Sequence, residues 1–316
     1  MSTYEMPEIK CELCRASGTA SLYFSRTAGF SFVKERYTPY TLLSGIFIGR
    51  CVPAEVTAVK LYIGSKIIHH GTADSVVCEY SHGVWRIRLR SLGFSMLLGQ
   101  NMAEPGIISQ PDLSAVIGKA AGAYAVSCQG STKKVNYVYI KDTSTVWEAA
   151  CIYAAKAYST YPYIRGTNSV YCTALSPKTR DYSGKKIVSY SSGVKLTGLI
   201  SHAHTQNAAG EWNISKTNSF ATERHIIKHK YYARDNEWAY DPQAGLSCHI
   251  GAGDRGRQYG RLKYAGAELE ELLDKANFTA EGLSLTAAEV DRIEMTCSPK
   301  GLFTELSFYN DLYCPQ

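Results

Sequence analysis

Short runs in which apolar and polar residues alternate fill most of this chain, and a period of two marks a half-buried strand. Ile9 to Cys14 and Ala20 to Phe24 read as the first two strands, with Ser17-Gly18-Thr19 as their turn. Thr41 to Ile48 gives a third. Val59 to Ile63 alternates apolar residues with Lys60 and Tyr62, and Gly64-Ser65 turns the chain into Lys66 to His69. In Trp85-Arg86-Ile87-Arg88-Leu89-Arg90 the alternation predicts Trp85, Ile87 and Leu89 inward and three arginines outward. A short helix over Ser91 to Leu98 is expected next. Strands this short and this frequent point to a small barrel or sandwich.

The period then changes. Pro111-Asp112 opens a helix with Leu113, Val116, Ile117, Ala120, Ala121 and Tyr124 on one face. Val135 to Lys141 reads as a strand. Thr145 and Glu148 have capping-box spacing, and the helix they start carries Trp147, Ala150, Cys151, Ala154, Ala155 and Tyr158 along one side until Pro162 stops it. Strands return at Lys186 to Tyr190 and Val194 to His204. Thr205 to Asn218 reads as a loop, Glu223 to Tyr232 alternates loosely, and Gly245 to Gly260 is glycine-rich and irregular. Ala265, Leu269, Leu272, Leu273 and Ala276 predict a further helix, with Glu268, Glu270, Glu271 and Asp274 facing water. Leu283 to Leu285, Arg292 to Cys297 and Leu302 to Tyr309 are strands again. The expected class is α+β and β-dominated. Two small β-barrels, 1–105 and 182–316, flank a small α/β unit at 106–181, and the second barrel carries a long insertion at about 205–262.

Composition narrows the function classes. With 316 residues the chain is long for one unit. Its 45% hydrophobic and 20% charged content is that of a globular protein. The formal charge of +6 is small and scattered, so specific nucleic-acid binding is not expected. Tyrosine, at 23 residues, suits both strand faces and interfaces. No apolar run approaches the roughly 20 residues of a membrane helix, and the N-terminus lacks the pattern of a secretory signal. The ten cysteines are accordingly expected as reduced, mostly buried small hydrophobes.

Three constellations could carry chemistry. Cys11-x-x-Cys14 has redox and zinc spacing, but it lies in a strand pattern, where residues three apart face opposite ways. His202, His204, His225 and His229 form the best metal candidate, with Asp235, Glu237 and His249 near in sequence; solvated or interface histidines are the competing reading. Gly251 to Gly256 matches G-x-G-x-x-G without a preceding strand or a helix opening at it, so a loop is expected, with Arg255, Arg257 and Arg261 available to an acidic neighbour. No cofactor is expected, and no catalytic residue is assigned.

From Tyr40 to Asn168 the order of elements resembles one known family. The residues that carry this are Leu43-Ser44-Gly45, Gly71-Thr72-Ala73-Asp74, Ser91-Leu92-Gly93-Phe94, Gln100-Asn101, Glu104-Pro105-Gly106, Val146-Trp147-Glu148, Pro162-Tyr163-Ile164 and Asn168. The chain resembles the baseplate hub proteins of contractile and related phage tails, including tail-like bacteriocins. The resemblance implies a non-enzymatic homotrimer in which two barrels per chain make a pseudo-sixfold ring, adapting the tail tube to a threefold spike. Its implied partners are copies of itself, the tail tube or distal tail protein, a spike and a tape measure protein, within a particle assembled in the bacterial cytoplasm. Because the chain ends soon after its last strand, the spike is expected on a separate chain. Arg86, Arg88 and Arg90, with Arg255, Arg257 and Arg261, are the interface candidates. The rivals are a metal-dependent enzyme using the four histidines and a cell-wall-binding module.

Overall fold

The computed structural model describes residues 7–16, 19–118, 125–173, 176–255, 257–280 and 283–309. Strands β1 (Ile9–Arg15), β2 (Leu22–Phe24), β3 (Thr27–Glu35), β4 (Thr41–Ile48), β5 (Val56–Ile63), β6 (Lys66–Ser81) and β7 (Val84–Gly93) form the first unit. They lie in the order β3-β4-β7-β6-β5-β1-β2, all antiparallel. The sheet curls over Leu13, Leu43, Phe47, Leu61, Ile87 and Leu89, all buried. His82 and Gly83, both at positive φ, make the tight turn of the long β6–β7 hairpin.

Strand β3 is absent from the pattern reading above. The helix expected over Ser91 to Leu98 is shorter and later than the pattern predicts. Leu92 pairs with both Leu42 and Thr72, so the ladder carries β7 on to Gly93; only a 3-10 turn, Phe94–Met96, and α1 (Leu97–Gln100) follow. Ile87 and Leu89 point inward as expected, but Trp85 does not. It sits at the hairpin end, 37% exposed, against Tyr80 and under the Arg50 guanidinium at 5.0 Å.

The next unit has its own core. It comprises β8 (Gly106–Ser109), α2 (Leu113–Ile117), β9 (Ser127–Cys128), β10 (Tyr137–Ile140), α3 (Val146–Tyr158), β11 (Tyr163–Arg165) and β12 (Ser169–Tyr171). Asp112 caps α2; Ala120, Ala121 and Tyr124 of its expected face lie outside the described residues. The capping box of α3 is complete: Glu148 N donates to Thr145 Oγ1 at 3.2 Å, and Thr145 N donates to Glu148 Oε2 at 2.7 Å. Trp147, Ala150 and Ala154 are buried as the spacing predicts, together with Tyr153.

The last unit contains β13 (Thr179–Asp181), β14 (Ile187–Val194), β15 (His202–Thr205), β16 (Ile214–Thr217), α4 (Ser219–Thr222), β17 (His229–Tyr232), α5 (Pro242–Asp254), β18 (Gln258–Ala265), β19 (Lys275–Ala280), β20 (Leu283–Glu289), β21 (Arg292–Ser298) and β22 (Gly301–Tyr309). Strands β14-β18-β22-β21 form a second curled sheet, and β13-β19-β20 pack over the same core. Between β14 and β18 the insertion folds as a three-stranded sheet, β16-β15-β17, with α5 on one face.

Two expectations fail here. Gly245 to Gly260 is not irregular: Pro242 occupies the first helical turn, Asp241 caps it by accepting Ala244 N at 3.0 Å, and α5 runs to Asp254. Its glycines answer to close packing. A Cβ on Gly253 would stand 2.7 Å from the Gly198 carbonyl oxygen. Conversely, Ala265 to Ala276 is not a helix. Leu269 and Leu273 take positive φ, so the chain turns tightly instead of continuing a coil. The acids are not uniformly wet either: Glu270 and Asp274 are buried. Glu270 accepts from the Tyr182 hydroxyl at 2.9 Å and from the Tyr264 hydroxyl, and burial raises its pKa.

The units are fused rather than strung together. Residues Arg292 to Cys297 of β21 pair with Glu35 to Phe30 of β3, making one eleven-stranded sheet across both β units. Gly29 permits the approach, since a Cβ there would lie 2.8 Å from the Cys297 carbonyl oxygen. Beside this seam the buried Lys34 ammonium donates to the Gly166 carbonyl at 2.8 Å and pairs with Glu271, tying all three units at one point. Asn168, also buried, accepts from Ser95 N at 3.1 Å and donates to the His70 carbonyl at 3.0 Å.

Removing one partner of a buried pair strands the other charge. Lys34→Met is therefore expected to cost about 3–5 kcal/mol in denaturant unfolding, and Lys34→Met/Glu271→Met to recover part of it. Ile87→Ala should cost roughly 2–5 kcal/mol, whereas Trp85→Ala, at its half-exposed position, should cost less than about 1 kcal/mol in the same measurement.

Candidate functional site

The histidines come together only in part. His202 and His204 alternate with buried Ala203, so both rise from one face of β15, and parallel pairing sets His229 directly beside His202. The His202 and His229 rings stack at 4.3 Å, and His204 Nε2 lies 3.0 Å from His229 Nδ1. Tyr231 stacks on His204 at 4.6 Å, and Trp212 meets Tyr231 edge-on at 5.5 Å. His225 stands apart on an exposed turn at positive φ. Among the described residues, no group of three or more His, Cys, Asp or Glu is arranged to hold a metal ion. The nearby carboxylates are engaged elsewhere: Asp235 and Glu237 pair with Lys141 at 3.0 and 2.6 Å. His249 stacks on Tyr232 inside the insertion.

Cys11 and Cys14 lie on β1, free, one buried and one half-buried. Burial raises both thiol pKa values, the opposite of an activated thiolate. The nine described cysteines are thiols; four are buried and five are half-buried, fewer buried than the composition suggests.

Gly251 and Gly253 end α5, so that helix carries no phosphate-cradling start at the glycines, and Gly256 lies outside the described residues. Arg255 is held between the Tyr37 and Tyr161 rings at 4.3 and 4.1 Å. Arg257 is buried, paired with Asp254 at 3.3 Å and set over Phe220, so it is part of the insertion's interior and not of a loop surface. Arg261 remains exposed on β18. Of the arginine row on β7, Arg88 meets Glu79 at 3.4 Å and Arg90 meets Asp74 at 3.3 Å, both largely exposed, while Arg86 donates to Ser81 Oγ at 2.7 Å. Exposed pairs of this kind contribute at most about 1 kcal/mol each.

Pattern reading missed a fourth constellation. Thr41, His69 and Ser91, on β4, β6 and β7, are all fully buried. Ser91 Oγ donates to the Thr72 carbonyl at 2.7 Å and so accepts from His69 Nε2 at 2.8 Å; His69 Nδ1 then accepts from Thr41 Oγ1 at 2.8 Å. The order mimics a nucleophile relay, but the line is sealed in the sheet and its serine proton is committed to a carbonyl. It pins three strands together.

What the surface offers instead is area. Ser31, Ser44, Arg88, Arg90, Glu294 and Glu305 share the face of the eleven-stranded sheet opposite the core, a broad polar surface crossing the seam.

No protein-family model matches the chain, and no curated protein matches it in sequence. Solved structures do match. A tail protein from Neisseria meningitidis MC58 superposes with a TM-score of 0.75 at 13% identity, covering 98% of each chain. The fold is that of phage tail proteins. The 43 kDa tail protein of prophage MuSo2 from Shewanella oneidensis gives a TM-score of 0.73 at 10% identity over 95% of this chain and 98% of that one. An E. coli component of the type VI secretion system, described as structurally similar to T4 tail proteins gp27 and gp5, gives 0.55 at 7% identity over 92% and 77%.

The buried imidazole gives this fold a pH signature. Burial, with repulsion from His70 second, lowers the His69 pKa to about 3, below the roughly 6.5 of an unfolded chain. A folded pKa below the unfolded one means stability is full above about pH 6.5 and is lost as pH falls toward 3, by about 1.4 kcal/mol per unit at most. Asp291, raised by burial to about 6, works in the opposite sense, so the informative quantity is a difference. Melting temperatures of wild type and His69→Gln should converge as the pH is lowered from 7 to 4, because the variant lacks this titration.

Proposed function

We propose that this protein is the structural hub of a phage-type tail baseplate, of a contractile phage or a tailocin. Three copies close into a ring that adapts the sixfold tail tube to a threefold spike. One observation carries the reading: two curled β units lie side by side in one chain, joined by a continuous ladder, in a chain whose whole length follows tail proteins. Three copies of such a chain present six similar units, and closed rings are a common finite solution for identical subunits. The division into barrels at 1–105 and 182–316 around an α/β unit at 106–181, with the insertion at about 205–262, belongs to the same proposal.

The outermost strands support ring closure. Among the described residues, β14 pairs only with β18 and β2 only with β1, so each end of the sheet keeps an unpaired edge. The polar face with Arg88 and Arg90 then borders the central channel. The tail tube or distal tail protein sits on one side, a spike carried by a separate chain on the other, and a tape measure protein is the third partner. A Francisella neighbour described as a PdpA–VgrG complex, with a TM-score of 0.56, is itself part of an assembly. No catalytic step is proposed, and Arg86, Arg88, Arg90, Arg255 and Arg261 enter only as surface or packing groups.

Mass photometry should show a species of three chain masses, either with the protein alone or with its neighbouring tail proteins, and negative-stain images should show a ring with a central hole. A strict monomer under both conditions would refute the hub.

A further inference from the structure

A cleft of about 510 Å³ lies between α3 and α5. Its floor is aromatic. Tyr137 of β10 meets Tyr240 edge-on at 5.6 Å, and Trp238 lies beside them; Tyr240 is 83% exposed. Four lysines border it: Lys133, Lys134, Lys156 and Lys216. Lys156 Nζ sits 3.8 Å above the Tyr137 ring and 5.2 Å from that of Trp238, which fixes its direction. Lys133 Nζ donates to the Ala157 carbonyl at 2.6 Å, and Lys216 Nζ to Ser247 Oγ at 2.6 Å.

These partners are neutral. The lysine ion pairs of the described chain belong to Lys34, Lys60, Lys66, Lys141 and Lys185, not to these four. The two acids lining the cleft are already engaged. Glu237 pairs with Lys141 at 2.6 Å, and Asp241 caps α5. Lys156 feels the field of Glu237, Asp235 and Asp241, and Lys134 that of Asp112, yet four lysines against two lining acids leave the rim of this apolar floor net positive. A carboxylate there would replace neutral contacts by charge-assisted ones, roughly twice as strong, and the ring floor would cover an apolar side chain.

We infer that this cleft docks a short acidic segment, bearing an apolar residue between carboxylates, from another protein of the tail. The assignment rests on the tail-hub reading only for the source of the segment. The size suits a few residues and not a long polymer. A nucleic acid needs a basic track for successive phosphates, whereas Glu237 and Asp241 interrupt this rim.

The test uses the full chain and a fluorescein-labelled peptide, Glu-Asp-Phe-Glu-Asp-Leu, read by anisotropy. Binding should saturate and weaken as salt rises from about 0.05 to about 0.5 M. Lys156→Ala and the double variant Lys133→Glu/Lys216→Glu should each raise Kd by roughly tenfold or more, while Lys300→Glu, at the distant β21–β22 turn, should leave it unchanged. Melting curves confirm that the variants fold. The amide analogue Gln-Asn-Phe-Gln-Asn-Leu should bind at least about tenfold more weakly. Absence of saturable binding, or equal binding by the cleft variants, overturns the inference. So does tighter binding of an oligothymidylate, which would make the cleft a nucleic-acid site. Mass photometry on the same samples separates the two readings: a permanent monomer that binds the peptide refutes only the ring, and a ring that ignores it refutes only the cleft.

Discussion

The hydrogen-bond ladder between β3 and β21 is the constraint on which the rest of the molecule depends. Without it the chain would be two curled sheets, each with an open edge beside the other. With it, eleven strands share one twist and one polar face, and the two β units cannot rotate independently. The ladder also dictates composition at its margins. Gly29 must lack a side chain where the Cys297 carbonyl approaches, and the Lys34 ammonium must find acceptors where three units converge. Those acceptors come from the α/β unit, through Gly166, and from the second β unit, through Glu271.

Local pattern revealed much of this fold where local physics decides it. The β5–β6 hairpin, the Thr145–Glu148 capping box and most of the buried stripe of α3 follow from spacing, whereas the expected turn at Ser17-Gly18 lies outside the described residues. Errors cluster where tertiary contacts override spacing. Leu269, Leu272, Leu273 and Ala276 have helical periodicity, yet two of these leucines turn through left-handed backbone to enter the core. The glycines of α5 look like loop residues because their reason, close approach to Gly198 and Trp238, lies elsewhere in the chain. The Asp241-Pro242 start was the available signal. Trp85 obeys the alternation of β7 but sits where the hairpin has already left the core.

Chemistry was less legible than architecture. The histidines that sequence brings near one another become a stack of parallel rings, and His225 leaves the group. The line of Thr41, His69 and Ser91 with relay geometry comes from three strands that no motif connects, and it is sealed. Most ionic groups that looked available are committed to contacts within the chain, as with Arg257, Glu270 and Asp235. Among the described residues, what stays open to a partner is surface: the outer edges of β14 and β2, the polar face of the large sheet and the lysine-bordered cleft.

Glu35 and Arg292 pair across nearly the whole length of the chain. During synthesis, β3 therefore emerges long before the strand that completes it, with one row of amides and carbonyls unmet. Until β21 arrives, that row can accept any passing extended segment, including β3 of a sister nascent chain. A chain interrupted before β21 keeps that row unmet and lacks two of the eleven strands that share the twist, so its incompleteness is written in its own geometry.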